Sequence, residues 1–531
     1  LATSLVSPIS SERLRRQEYR RERGFAVLVV TALTFWAVLV HGYHPYAEDG
    51  GVYLPEIKRL LDPGLYSSGA EFVVGHLRYS LFAPMVAGLV RRSHQGVDTV
   101  VLGLHVASFW MTLFAAWLLA ARCFTSSEAR WGAVGLLAAW MTLPVAGTSL
   151  MLMDPYVTAR SLSTPCSLLA LVGVLEFRRP RFEEEDERGR WRGAVLCGTA
   201  LVCAGMMHPL MGAYGFGAVM LLGVALSSSR VVRVWGSVGL SLTAVAIAAA
   251  LQMSASPESE IYRKVMLTRS YWYLSEWQWY EWVGLAAPLM ILSAVAIGRR
   301  RKDDAAGAGL VRVAVVAGTT AIAVAVMFAR TGMGTHLVAR MQPLRIFQTV
   351  YVVMTLMVGG WLGEKILRRR TMRWVTVFSL LAGVMFIADW RTFPASRHLE
   401  LPWMRAAGAG NQYEEAFRWI AGNTPRDAVF AQDADYVTKP GEDAQSFRAI
   451  AERSVLPDFS KDGGVVTNKP ELANAWREGQ AAQRGLDAES DGERVARLKP
   501  FGVTWVVLGR SAATGFACAF ANEAVKVCRL P

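Results

Sequence analysis

His44-Pro45-Tyr46-Ala47-Glu48-Asp49-Gly50-Gly51-Val52-Tyr53 follows directly on the apolar run Phe25–Val40. A carboxylate pair at the mouth of a membrane helix costs free energy if it points into lipid, so it faces water, a partner or a substrate. The run before it is the first of a series. Apolar stretches near the ~20 residues needed to cross a bilayer recur from residue 25 to about residue 390.

Composition agrees with that reading. The chain has 531 residues, 53% of them hydrophobic and 18 of them tryptophan, with a mean hydropathy of +0.27. That is too apolar for an ordinary soluble protein. The expected organisation is a basic cytoplasmic segment over 1–23, an α-helical polytopic membrane domain over 24–390, and a soluble α/β domain over 391–531. The net charge of +13 does not point to nucleic acid. The arginines sit in short clusters between spans, at 13–23, 178–181, 299–301 and 368–373, as the positive-inside rule produces.

Those clusters thread the topology. Spans are expected at Phe25–Val40, Val100–Ala121, Trp131–Val145, Leu162–Phe177, Gly193–Met207, Leu210–Leu226, Trp235–Met253, Trp282–Ile297, Val311–Ala329, Leu344–Leu362 and Trp374–Ile387. That is about eleven crossings, with the N-terminus cytoplasmic and the C-terminal domain outside. Leu81–Val90 is too short to span and is read as a helix on the outer membrane face. A cleaved signal peptide is not expected, because the first span lacks a small-residue cleavage site. No internal repeat is evident, which weighs against transporters built from duplicated halves.

With this threading the polar residues gather on the outer side, histidines above all. The first outer loop, 41–99, carries Glu48 and Asp49 just ahead of an amphipathic segment, Gly51–Leu61, closed by Asp62-Pro63-Gly64. Its apolar face (Tyr53, Leu54, Ile57, Leu60, Leu61) suits a helix lying in the membrane interface, with Glu56, Lys58 and Arg59 off that face. A carboxylate held there acts as a general base or metal ligand, or Asp49 simply caps the helix. Local sequence leaves both open. Arg160, His208, His336, Arg340 and Arg345 are placed to approach a lipid phosphate, although arginines at span ends also snorkel. Asp154-Pro155-Tyr156 reads equally as a turn. The loop Ser254–Glu281 is rich in aromatic residues, including Trp272, beside Arg269. Such residues anchor interfaces or stack on sugar rings.

A first span, an outer loop opening on an acidic residue, a helix of the form Tyr53–Tyr66 and a second short helix over His76–Val90 together resemble the GT-C glycosyltransferases. The resemblance implies an integral membrane enzyme that moves a sugar from a polyprenyl-phosphate carrier to a glycan, lipid or protein acceptor outside the membrane. It further implies that Asp49 or Glu48 is the catalytic or metal-binding position, with His44, Tyr53, His76, Arg78, Asp154, Tyr156, Arg269 and Trp272 around the substrates. A divalent cation (Mg or Mn) would be held by carboxylates and carrier phosphate. The location implied is the bacterial cytoplasmic membrane, with a periplasmic C-terminal domain. The acidic pair reads Glu-Asp where several relatives have Asp-Glu, and no Trp-Trp-Asp-type motif follows. That favours a single-sugar transferase over an oligosaccharyltransferase. The alternative is a scaffold or accessory subunit that keeps the architecture without the chemistry.

In the C-terminal part, a helix over Asn411–Ala421, strands at Asp427–Ala431 and Val503–Leu508, and helical stretches near Lys469–Arg484 and Glu493–Leu498 predict a small α/β fold. It has no nucleophile motif or phosphate loop, which points to acceptor recognition or assembly. Cys518 and Cys528 flank a hairpin turn at Asn522-Glu523 in a compartment where disulfides persist, and are expected to pair. Cys123, Cys166, Cys197 and Cys203 read as small apolar residues.

Overall fold

The computed structural model describes residues 8–75, 79–178, 185–298, 305–407, 410–439, 441 and 443–531. Among the described residues, helices overlap each expected span, that at Trp131–Val145 only as far as Ala139, and seven helices are long and apolar enough to cross a membrane. These are Gly24–His41, Val97–Cys123, Arg230–Ser254, Trp279–Ile297, Ala305–Phe328, Leu337–Leu367 and Thr371–Thr392. Ser127–Ala139 and Pro209–Ala225 are shorter than a full span at 13 and 17 residues. The helices Ala159–Phe177 and Glu185–Met207 lie side by side at glycines. A Cβ on Gly173 would stand 2.6 Å from the Gly193 carbonyl oxygen, and one on Gly193 2.7 Å from that of Gly173. Small residues let helix backbones approach where lipid supplies no hydrophobic drive.

The amphipathic segment of the first loop forms the helix Gly50–Leu61, and Phe82–Ser93 forms a second beside it. Tyr53 meets Phe82 edge-to-face at 5.3 Å. The first helix does not lie free in an interface. Its other side is covered by the C-terminal part of the chain: Lys58 donates to the Ala449 carbonyl (2.7 Å) and pairs with Glu452 (2.6 Å). Glu56, expected on a polar face, is 1% exposed.

The C-terminal part carries a five-stranded sheet in the order β2-β1-β3-β5-β4, where β1 is Val429–Ala431, β2 Ser454–Val455, β3 Trp505–Gly509, β4 Cys518–Ala521 and β5 Val525–Arg529. β1 runs parallel to β2 and β3, while β3, β5 and β4 are antiparallel. The Cys518–Cys528 disulfide joins paired positions of the last hairpin. Phe417, Phe430, Phe447 and Val527 from this part form one apolar cluster with Tyr53, Ile57 and Phe82 of the first loop. Val465 and Trp476 join the membrane-helix core beside Tyr262 and Trp272. Burial therefore runs across the expected boundary at residue 391, and the first loop is held between the helical part and the C-terminal part.

Candidate functional site

Asp49 occupies the position just before the Gly50–Leu61 helix, yet its side chain makes no capping hydrogen bond. It faces cations instead. Arg160 Nη1 stands 3.5 Å from Asp49 Oδ2, and Lys461 Nζ stands 3.4 Å from Oδ1. Lys461 also pairs with Glu48. Glu48 is in the left-handed region at φ 50°, a conformation uncommon for a residue with a side chain and frequent at functional sites. Its amide donates to the Ala444 carbonyl at 3.2 Å, so the C-terminal part holds it there.

Arg160 is the second residue of the helix Ala159–Phe177, whose start is fixed by a capping box between Thr158 and Ser161. A cation at a helix N-terminus opposes the helix dipole, which strengthens the local pull on anions. Arg160 Nη2 donates to Asp154 Oδ2 at 2.7 Å, while its buried Nε has no partner. Asp154-Pro155-Tyr156 is thus a turn that also delivers a carboxylate to the site. Burial raises the Asp154 carboxyl and the Tyr156 phenol above their ordinary values.

Burial pushes Asp49 up as well, but the ammonium of Lys461 and the guanidiniums of Arg160 and Arg345 outweigh it. They hold the carboxyl well below the usual carboxylate range. Asp49 keeps 38% of its side chain open, so it remains reachable. A narrow cleft opens at the neighbouring Glu48, between the first loop and the C-terminal part, with Glu48, Lys461, Asp458, Ser446 and Tyr436 in its wall. Burial and the neighbouring Asp462 push the Asp458 carboxyl up.

Lys461 escaped the sequence reading, since nothing in Phe459-Ser460-Lys461-Asp462 marks it locally. Its surroundings are built. Arg269 donates to the Ser460 and Phe459 carbonyls (2.6 and 3.1 Å), and Trp476 donates to that of Asp458 (2.9 Å). Arg269, expected at a substrate, therefore holds the backbone that carries Lys461.

Of the remaining expected site residues, Tyr53 and Arg345 lie close enough to the Asp49 group to act on it electrostatically. Trp272 shares a small cavity with Arg345. Four others are engaged elsewhere. His208 caps the helix Pro209–Ala225, accepting from the Met211 amide at 3.4 Å. His336 pairs with buried Glu258 at 2.6 Å, and Arg340 donates to the Thr467 carbonyl at 3.0 Å. His44 is fully buried between Glu400 (2.9 Å) and Asp389 (3.4 Å), stacked on Phe393. Burial lowers its pKa, but the hydrogen bonds it donates to these two carboxylates, and their charge, carry it up to about 9. His76 and Arg78 lie outside the described residues.

The expected divalent cation finds no ready site. Among the described residues no cluster of three or more histidine, cysteine, aspartate or glutamate side chains is arranged to hold a metal. The space between Glu48 and Asp49 is taken by the Lys461 ammonium. The residues present do not fit such an ion in this arrangement.

No protein-family model matches the sequence, and no curated protein matches it. Among solved structures, the chain is similar to the archaeal oligosaccharyltransferase AglB from Archaeoglobus fulgidus in complex with an inhibitory peptide and a dolichol-phosphate. The TM-score is 0.43 at 12% identity, over 92% of this chain and 70% of that one. The apo form of the Archaeoglobus fulgidus oligosaccharyltransferase gives 0.43 and 12%, over 91% and 69%. At that distance, function has to be argued from the chemistry of the site itself.

Proposed function

We propose that this protein is a membrane glycosyltransferase that moves a sugar from a polyprenyl-phosphate carrier to an acceptor on the outer side of the membrane. The observation that carries the reading is the Asp49 carboxylate, reachable and ringed by Arg160, Lys461 and Arg345. Breaking the bond between an anomeric carbon and phosphate requires cations around the leaving oxygens. Three cations beside a carboxylate supply that, and Arg345 also borders a narrow crevice among the membrane helices, with Thr164, Tyr214 and Gln348 in its wall. A polyprenyl phosphate docking from the bilayer beside these helices brings its phosphate to Arg345 and Arg160.

The depressed pKa of Asp49 makes it a weak proton acceptor while it is paired. A phosphate that draws Arg160 and Arg345 toward itself relieves that hold and raises the affinity of Asp49 for the acceptor's proton. Lys461 then keeps Glu48 and Asp49 in register. The acceptor (glycan, lipid or protein) enters through the cleft lined by Glu48 and Lys461. The same cationic pairing is what favours the second reading, a scaffold whose carboxylates serve only to fasten the C-terminal domain. Transfer from a panel of labelled polyprenyl-phosphate sugars separates the two. Wild type should transfer, and Asp49→Asn should lose roughly 100-fold or more, as removal of a proton acceptor does. Transfer undiminished in the mutant removes Asp49 from the mechanism, and no transfer from any donor by wild type supports the scaffold.

A further inference from the structure

Lys461 reaches Glu48 and Asp49 from the first residue of the short helix Lys461–Val466. The peptide unit before it is held at both ends. Its carbonyl, on Ser460, accepts from Arg269 Nη1 at 2.6 Å, and its N–H, on Lys461, donates to Asp458 Oδ1 at 2.5 Å. Arg269 Nη2 also donates to the Phe459 carbonyl at 3.1 Å, and Nε to the Thr268 hydroxyl at 3.1 Å. The guanidinium is thus engaged on every nitrogen, in a residue only 6% exposed. Gly463 makes room for it. A Cβ there would stand 2.6 Å from Arg269 Nη2, closer than a Cβ is found to a neighbouring atom. The other supports belong to the C-terminal part itself. Trp476 donates to the Asp458 carbonyl, and Asp462, paired with Arg448 at 2.6 Å, accepts from the Asp458 amide at 2.8 Å. Of these supports only Arg269 comes from the helical part, from the turn after the helix Glu260–Leu267.

We propose that Arg269 is a positioning residue of the transfer reaction, aiming the Lys461 ammonium at Glu48 and Asp49 through the peptide that precedes it. Its part in the reaction rests on the reading of the protein as a polyprenyl-phosphate-sugar transferase; the aiming of Lys461 stands on geometry alone. A peptide unit is planar, so fixing its oxygen and its hydrogen fixes the direction from which the Lys461 side chain departs. Arginine suits the task because its planar fork meets two carbonyls at once, where a lysine ammonium is a single point of charge. Placement matters at this site, since misplacing a reacting group by about 1 Å costs roughly 100-fold in rate. Burial lowers the Lys461 pKa, but the charges of Glu48 and Asp49 carry it above the ordinary lysine range.

That shift supplies a readout independent of transfer, because only the neutral amine is acetylated. The full-length protein in nanodiscs is treated briefly with acetic anhydride at a series of pH values below the ordinary lysine pKa of about 10.4. Mass spectrometry follows Lys461, with Lys58, paired with Glu452 beside the same first-loop helix, as internal reference. Arg269→Met removes the guanidinium, and Gly463→Ala displaces it without removing it. Each should raise Lys461 acetylation roughly tenfold, the change in free amine for one unit of pKa, and leave Lys58 unchanged. Arg269→Lys, which keeps a donor for one carbonyl, should fall between Arg269→Met and wild type. In transfer from a labelled polyprenyl-phosphate sugar, kcat should drop roughly 10- to 100-fold in the first two variants. The donor KM should stay within about twofold, because Arg160 and Arg345 are untouched. Gly463→Ala keeps the test open if an arginine variant fails to fold. Unchanged Lys461 acetylation in the folded variants, a rise shared by Lys58, or a raised KM with kcat retained overturns the positioning role. Absence of transfer from any donor by wild type overturns the transferase reading instead, and the acetylation profiles still decide whether Arg269 aims Lys461.

Discussion

Arg340 and Arg345 stand a few residues apart on the segment leading into the helix Phe347–Trp361, and the sequence presents both as phosphate ligands. Their surroundings differ. Arg340 reaches the Thr467 carbonyl and the Tyr262 hydroxyl (3.0 and 3.3 Å), and its neighbour His336 is locked to Glu258. The Arg345 side chain makes no ion pair or hydrogen bond among the described residues, and its buried Nε is open. The first corner fastens the C-terminal part to the membrane helices. The second has cationic capacity to spare, beside a carboxylate that a substrate can reach. What distinguishes a fastening from a binding site is whether the protein already satisfies its own charges.

The His44 corner is the extreme of the satisfied class and should show the largest effect on stability. Removing one member of a buried ion pair leaves the others uncompensated, so His44→Ala should cost about 3–5 kcal/mol in thermal or denaturant unfolding. The pH dependence has a definite sign. The folded pKa of about 9 lies above the ordinary 6.5, so this contribution is fully present below about pH 6.5 and is lost as pH rises through about 9. His398 also pairs with Asp389, at 2.7 Å. Wild-type melting temperature should fall from pH 6.5 to 9.5, and His44→Ala should flatten that part of the curve. A flat wild-type curve would mean that His44 is held neutral.

Direct comparison of the two arginines comes next. Arg345→Leu should weaken binding of polyprenyl phosphate by roughly 10- to 100-fold, the worth of a charge-assisted contact, and leave the melting temperature nearly unchanged. Arg340→Leu should do the reverse. Tyr262 still donates to the Thr467 carbonyl at 2.6 Å, so the stability loss should be near about 1 kcal/mol, with lipid binding intact. Equal effects of both variants on binding would erase the distinction.

How far this division was legible in sequence depends on the range of the interaction. Seven of the expected apolar spans, the Gly50–Leu61 helix, the strands at 429 and 505 and the Cys518–Cys528 pair follow from periodicity and short spacing, and they appear among the described residues. Asp154 and Arg160 are six positions apart and pair as neighbours on a turn and a helix start. Lys461 and Asp49 are separated by 412 positions, and no local pattern carries such a pairing. The same limit explains His44, His208, His336 and Arg340. A polar residue at a helix end has one appearance in sequence, whether its partner is a substrate or, as for His44, a carboxylate 356 positions away. The amphipathic face of 51–61 was legible, but not that protein rather than lipid would cover it.

The smallest expected effect concerns the metal, and it sharpens the comparison from the other side. If the spare capacity of the site were negative, a divalent cation would be drawn to Glu48 and Asp49, and chelation would abolish transfer. Here the capacity is positive. Lys461 lies against both carboxylates and Arg160 against Asp49 and Asp154, so an added cation would have to displace an ammonium already in place. Magnesium binds through carboxylates together with substrate phosphates, and both partners are served here by side chains. Treatment with EDTA should therefore leave the rate within about twofold, a change of less than one RT in barrier height. Lys461→Met should turn that around, because it frees the carboxylates to recruit an ion. Loss of wild-type transfer on chelation, restored by Mg²⁺ or Mn²⁺, would show that the lysine yields its place when donor binds, and that the site's balance of charge is set by substrate rather than by the fold.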